Sequence, residues 1–344
     1  MSKAESERKA HGRIIKSDFK PASWAKNRHI QTIWPRFLQK RKKIAIRNER
    51  VKTPDNDFID LAWSPKPDVC KGLVVIFHGL EGSIRSHYAN DVVAALFKQN
   101  WQSVLMHFRG CSGEANHTTR TYHSGDTRDA SFILDRLRQQ FPDQFFAGVG
   151  FSLGGNMLLK LLGENPLQRW LQTAAAISAP LKLAECAQSI NQGFSRVYQR
   201  YLLNSMKRTL TTKMQRLDYS NDLLLSEAQI KAIDSFRDFD EKVTAPIHGF
   251  EDAVDYYEKC SGYNFLQAIH TPTLIMHAKD DPFMNENVIP EEHELARSVT
   301  LELSERGGHV GFMQGPPWAP SIWFHQRLAT FLDEQLGRWQ AQQP

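Results

Sequence analysis

Short runs of apolar residues alternate with longer stretches in which apolar positions recur three and four apart, and this rhythm covers most of the 344-residue chain. Gly72-Leu73-Val74-Val75-Ile76-Phe77 is the sharpest run. Ser103 to Phe108, Phe145 to Val149, Thr173 to Ser178 and Thr273 to Met276 repeat the pattern. Runs apolar at nearly every position predict strands covered on both faces. Between them, Ser86 to Gln99 puts Val92, Val93, Leu96 and Phe97 on one helical face. Ser124 to Gln140 does the same with Phe132, Leu134 and Leu137, taking Ser124 as its N-cap. Val299 to Leu303 alternates as a strand, and a closing helix is predicted from Ser321 to about Trp339. Near the start, Lys43 to Val51 and Phe58 to Trp63 predict two strands around the turn Pro54-Asp55-Asn56-Asp57.

Strands alternating with helices imply an α/β fold with a mostly parallel sheet, here expected to have eight strands, and helices on both of its faces. From Leu183 to Phe265 the rhythm changes: no strand is evident and helical periodicity dominates. The expected organisation is a basic amino-terminal arm over 1–43, mobile to about residue 18, and a core built from 44–182 and 266–344. A helical cap is inserted at 183–265. Phe194, Tyr198, Tyr201, Phe236, Phe239, Phe250, Tyr256 and Tyr257 supply the cap with aromatics, most of them for its own core and the remainder for the roof of a pocket.

Composition adds little to this picture and charge adds more. Apolar residues make up 41% and charged residues 24%, as in ordinary globular chains. No apolar run approaches the roughly 18 residues of a membrane span and the polar start has no signal-like apolar segment, which argues for the cytoplasm. Cys70, Cys111, Cys186 and Cys260 are scattered, without metal-ligand spacing, so neither a metal nor a cofactor is expected. The net charge of +5 is uneven: residues 1–43 carry thirteen Lys or Arg against Glu5, Glu7 and Asp18, peaking at Lys40-Arg41-Lys42-Lys43. Such an arm is either simply solvated or weakly attracted to an anionic membrane surface; specific nucleic-acid binding is not expected.

The chemistry gathers where strands end. Gly150-Phe151-Ser152-Leu153-Gly154 lies between a predicted strand and a predicted helix. A bare G-x-S-x-G is weak, but in that context it is a nucleophile elbow, a tight turn that exposes the serine hydroxyl. Downstream, Asp280 and Asp281 follow one late strand and His309, in Gly307-Gly308-His309-Val310-Gly311, follows another. The order Ser, Asp, His is that of α/β hydrolases, in which the histidine takes the serine proton and a carboxylate orients the imidazole. An oxyanion hole would draw one backbone N–H from Leu153 and a second from Leu80, in the loop His78-Gly79-Leu80-Glu81-Gly82-Ser83. The polar loop after the strand at 103–108 contributes Arg109, Tyr122 and His123 as substrate-pocket candidates, or as residues that hold the loop in shape.

Several of these segments together resemble the YheT-like branch of the α/β-hydrolase superfamily, the AB hydrolase-4 group. They are Asn27-Arg28-His29-Ile30-Gln31-Thr32, the His78 loop, Arg109-Gly110-Cys111-Ser112-Gly113, Tyr122-His123-Ser124-Gly125-Asp126, the elbow, Asp280-Asp281-Pro282-Phe283-Met284 and Gly307 to Phe312. The resemblance spans about residues 20–335 and implies a carboxylic-ester hydrolase with the triad Ser152, Asp281 and His309. Asp281 is preferred to Asp280 because the Asp-Pro-Phe-Met step resembles the acid turn of the superfamily. Animal members of the group carry an amino-terminal membrane anchor; none is visible here, so their lipid specificity is not carried over. The expected activity is cleavage of short- to medium-chain acyl esters through an acyl-enzyme. The alternatives are acyl transfer on the same triad and a non-catalytic membrane- or nucleic-acid-binding module. Aspartate-nucleophile chemistry is disfavoured by the serine at position 152.

Overall fold

A computed structural model of the protein describes residues 11–37 and 44–343. Its elements in chain order begin with β1 (Arg13–Lys16), α1 (Arg28–Phe37), β2 (Arg47–Lys52), β3 (Phe58–Trp63), β4 (Leu73–Phe77), α2 (His87–Lys98), β5 (Gln102–Met106) and α3 (Thr127–Gln140). They continue with β6 (Phe146–Phe151), α4 (Leu153–Glu164), β7 (Thr173–Ile177), α5 (Leu183–Ile190), α6 (Ser195–Met214), α7 (Glu227–Ala232), α8 (Phe236–Phe239), α9 (Ala245–His248) and α10 (Ala253–Cys260). Last come β8 (Thr273–Ala278), β9 (Val299–Ser304), the short pair β10 (Met313–Gln314) and β11 (Ser321–Ile322), and α11 (Trp323–Gln340).

Among the described residues the main sheet has nine strands, in the order β1-β9-β8-β7-β6-β4-β5-β3-β2. Only the β2–β3 and β3–β5 pairings are antiparallel. The ninth strand corrects the expectation of eight and, for residues 13–16, that of a mobile start; residues 1–10 lie outside the described residues. Arg13 to Lys16 pairs in parallel with Thr300 to Leu303, adding an edge strand in a segment whose polar ends mask its strand pattern. Lys40 to Lys43, the peak of the basic arm, lie outside the described residues.

Apolar runs become central strands here because both of their faces are covered. Along β4, Leu73, Val75 and Phe77 pack with α3 and α4 residues such as Leu134 and Leu158, while Val74 and Ile76 pack with Val93 of α2 and Phe324 of α11. The helices between β7 and β8 form their own apolar cluster around Leu203, Leu210, Ile230 and Phe239. Helix α3 starts at Thr127, three residues later than predicted. Ser124 is no N-cap: its N–H donates to the Tyr256 hydroxyl and its carbonyl accepts from Asn156 Nδ2, which holds it in the loop. Among the described residues, no helix is long and apolar enough to cross a membrane.

Candidate active site

The carboxyl ends of β4, β6, β8 and β9 converge on one spot, where the loops after them carry the candidate residues. Between β6 and α4, Ser152 has φ 50° and ψ −120°, a left-handed conformation that a side-chain-bearing residue adopts only when its surroundings force it. The surroundings are close backbone. A β-carbon on Gly150 would meet the Gly154 carbonyl at 2.4 Å, and one on Gly154 would meet the Phe77 carbonyl at 2.4 Å. The Ser152 N–H donates to Ile177 O at 2.8 Å, and the Ser152 carbonyl starts α4 by accepting from Gly155 and Asn156. The hydroxyl is left pointing away from the sheet.

It meets His309. The Ser152 Oγ–His309 Nε2 distance is 3.0 Å, and His309 Nδ1 lies 2.7 Å from Asp281 Oδ2. A carboxylate can only accept, so Nδ1 carries the proton and Nε2 is free to accept from the serine. The Asp281 side chain is 1% exposed and that of His309 10%. Phe283 stacks on the imidazole at 3.9 Å. Asp280 has a different place: its Oδ1 accepts from Gly308 N at 2.9 Å. It is one of three side chains that each hold a successive amide of the histidine loop. Thr32 Oγ1 accepts from His309 N at 3.0 Å, and Ser178 Oγ accepts from Val310 N at 3.1 Å. Val310, at φ 55°, and Phe312, at φ 45°, are strained enough to need that grip.

Helix α1 supplies Thr32 and grips the loop a second way. Buried Gln31 donates to Met313 O at 3.0 Å and accepts from Met313 N at 2.6 Å. The helix lies so close that a β-carbon on Gly311 would meet Gln31 O at 2.4 Å. Neither Thr32 nor Ser178 is detectable as a site residue from sequence pattern alone, since both are single small hydroxyls far in the chain from His309. The only signal was that Thr32 closes the Asn27–Thr32 segment.

The loop after β4 is equally constrained. His78, fully buried and with its pKa pushed down to about 3 chiefly by burial, is a neutral imidazole. Its Nδ1–H donates to Gly79 O and its Nε2 accepts from Phe108 N. Gly79 N donates to Tyr88 Oη at 2.7 Å and Glu81 N donates to Tyr122 Oη at 2.8 Å. Between them, the Leu80 N–H has no acceptor among the described residues, and neither has the Leu153 N–H. Glu81 also reaches the cap, its Oε2 accepting from Ser205 and Thr209 of α6.

Of the three pocket candidates, Tyr122 and His123 line the cavity next to Ser152, and Arg109 does not. Arg109 is a correction. Its side chain is 1% exposed and spans Asp55, Asp57 and Asp129 with N–O distances of 2.6–3.2 Å. A buried guanidinium needs this many carboxylates to offset its lost hydration, so it locks the loop to the turn between β2 and β3 and to α3 rather than facing a ligand. Burial also holds the His123 imidazole well below its ordinary pKa, so it is neutral.

Two cavities meet at Ser152, sharing Leu80, Leu202, Phe283 and His309. The first, about 120 Å³, runs under the cap and is walled by Leu183, Ile190, Met206, Tyr256 and Tyr257; Asp240 and Thr244 of the π-helical turn Asp240–Thr244 also line it. Burial pushes the Asp240 carboxyl up to about 6. The second, about 200 Å³, lies between α1, α2 and α6 and is lined by Thr32, Ile33, Tyr88, Val197, Tyr198 and Tyr201. Among the described residues no group of three or more His, Cys, Asp or Glu side chains is arranged to hold a metal ion.

Comparison with known proteins agrees with this fold. Residues 72–316 match the family model described as alpha/beta hydrolase fold. YheT of Escherichia coli K12, which carries an esterase designation, is 45% identical over 93% of this chain and 94% of its own. The monoacylglycerol lipase of Saccharomyces cerevisiae is 30% identical over 77% of this chain and 60% of its own. Among solved structures, the Pyrococcus furiosus esterase Pf2001 superposes with a TM-score of 0.54 at 17% identity, covering 89% of this chain and 96% of its own, a likeness of fold. The chain belongs to the alpha/beta hydrolase fold family, on its YheT-like branch.

Proposed function

We propose that this protein is a serine hydrolase of carboxylic esters, with Ser152 as nucleophile, His309 as general base and acid, and Asp281 as the residue that orients and stabilises the imidazolium. The observation that carries this reading is the unbroken relay, 3.0 Å from Ser152 Oγ to His309 Nε2 and 2.7 Å from Nδ1 to Asp281, on a strained elbow. Ser152 Oγ attacks the ester carbonyl as its proton passes to Nε2. The oxyanion is held by the Leu80 and Leu153 amides, whose donors are not spent elsewhere among the described residues. His309 then protonates the leaving alcohol, and water, deprotonated by the same nitrogen, cleaves the acyl-enzyme.

The acyl group belongs in the cavity under the cap, beside the Leu153 amide, and the alcohol in the one beside α1. A cavity of about 150 Å³ accommodates one benzene, so the 120 Å³ cavity itself holds an acyl chain of about five carbons, and chains up to about eight would extend toward the mouth. Names of relatives support ester chemistry in general and leave chain length to the pocket. Acyl transfer is the second reading, favoured by the second cavity, which brings an apolar alcohol directly to Ser152.

The test is a p-nitrophenyl ester series from acetate to palmitate on wild type and Ser152→Ala, with a fluorophosphonate label. The expected outcome is labelling of the wild type alone, an optimum at roughly four to eight carbons, and a loss of kcat on the order of 10⁴-fold or more in the variant. Labelling that persists in Ser152→Ala would overturn the assignment. Alkyl ester formed from added alcohol in place of free acid would favour the transferase.

A further inference from the structure

The outer face of α6 is composed unlike a surface made to face water. The helix carries Arg196, Arg200, Lys207, Arg208 and Lys213 and no acidic residue over its 20 positions. Ser195, Gln199, Leu203, Leu210 and Lys213 are buried, which turns Arg196, Val197, Arg200, Tyr201, Asn204 and Arg208 outward. With Phe194 just before the helix, the apolar members stand three to four residues apart and are more than half exposed: Phe194 52%, Val197 54% and Tyr201 53%. Solvent-facing helix surfaces are normally polar, and a cluster of large apolar side chains flanked by like charge marks a surface that is covered in use. Ile30 of α1, 38% exposed, extends the patch, because its neighbour His29 packs against Phe194 at 4.5 Å and bonds to Tyr198.

Two members of the patch, and neither Phe194 nor the arginines, also line the second cavity. Val197 and Tyr201 are at once exposed and part of the wall that leads to Ser152. Among the described residues, Arg196, Arg200 and Arg208 have no carboxylate partner.

We propose that this face, Phe194 and the outer side of α6 as far as Arg208 with the tip of α1, docks on an anionic lipid surface and sets the mouth of the second cavity against it. Apolar side chains at the centre with arginines around them match the interfacial helix, whose apolar face sinks to the acyl boundary while cations stay among anionic headgroups. A second copy of this chain is the poorer fit, since a two-fold contact of the face with itself would set arginines against arginines. Nucleic acid would match the charge but leave the Val197 and Ile30 side chains unused. The inference rests on the ester-hydrolase reading for its consequence, delivery of an interfacial ester to Ser152. It does not rest on that reading for binding itself.

The experiment is co-sedimentation of the full chain with vesicles of phosphatidylcholine alone or with about a third phosphatidylglycerol, at low and high salt. Wild type and Ser152→Ala should both bind the phosphatidylglycerol vesicles and release in high salt. The double variant Arg196→Glu/Arg200→Glu and, separately, Phe194→Asp should each weaken binding at least about tenfold, while p-nitrophenyl butyrate turnover in solution stays at the wild-type level. Binding of the Ser152→Ala protein separates a failure of docking from a failure of the catalytic assignment. Equal binding to both vesicle types, or none, overturns the proposal. So does binding that survives the α6 substitutions and is lost only when Lys40 to Lys43 are neutralised. A dimer in sedimentation velocity that the same α6 substitutions abolish would reassign the face to self-association.

Discussion

At Asp280 and Asp281 two neighbouring carboxylates of the same chemistry make different contacts. Asp281 faces the imidazole, and Asp280 faces a backbone amide of the loop that carries it. Asp281→Asn is therefore expected to lower kcat by about 10⁴-fold, because an amide favours the wrong imidazole tautomer. Asp280→Asn keeps an oxygen for Gly308 N and should cost less than about tenfold; steady-state kinetics of the two variants decide, and the reverse order would exchange their roles. Thr32 acts on His309 through its backbone. Thr32→Val removes the acceptor of a constrained amide, a loss of about 1–2 kcal/mol. It is expected to reduce kcat by about five- to thirtyfold with KM for a small ester little changed. Thr32→Ser should restore the rate, which a merely space-filling methyl would not require. Asp240 titrates inside the proposed acyl cavity. Its folded pKa of about 6 lies above the ordinary carboxyl value, so the native state keeps a proton that the unfolded chain has already lost. The stability this contributes is present below about pH 4 and disappears as pH rises through 6. Above that pH the charge also opposes an alkyl chain. KM for a hexanoate ester should accordingly rise through pH 6 in the wild type and stay flat in Asp240→Asn.

At the level of elements, the elbow depends on how near α4 and β6 come to the neighbouring strand. Gly154→Ala puts a methyl 2.4 Å from the Phe77 carbonyl and 2.5 Å from the His78 carbonyl, both backbone atoms that cannot swing aside. The expected result is a loss of more than about 2 kcal/mol in chemical denaturation, with Ser152 displaced and fluorophosphonate labelling lost. The strand, turn and helix of this unit were legible because all three are local: an apolar run, a glycine-serine-glycine step and a helical stretch. Element ends were less so. The helix expected from Ser124 begins at Thr127 because the Tyr256 hydroxyl and the Asn156 amide, 132 and 32 residues away, hold Ser124 in the loop. The edge strand β1 is not legible in the sequence because Arg13 to Lys16 show only two apolar residues, and an edge strand is defined by its partner, β9, more than by its own pattern.

Over the whole molecule, residues distant in sequence meet in two polar knots that local pattern does not reveal. Arg109 joins Asp55 and Asp57 before β3 to Asp129 on α3, while Gln31 and Thr32 join the first helix to the loop before α11. Arg109→Met should cost about 3–5 kcal/mol, read as a lowered melting temperature, because buried Asp57 and Asp129 lose the cation that compensates their burial; a variant of unchanged stability would mean the knot is solvated. Periodicity and short motifs by themselves determined the parallel sheet, its helical layers and the segments in which a nucleophile, an acid and a base could lie. Each of those signals is written in neighbouring residues. Tertiary structure alone decided the ninth strand, the contact of Asp280 with the Gly308 amide, the structural post of Arg109, and the division of the space around Ser152 into two cavities. Each of these depends on which distant side chain reaches a given backbone or charge, and that follows from packing in three dimensions rather than from spacing along the chain.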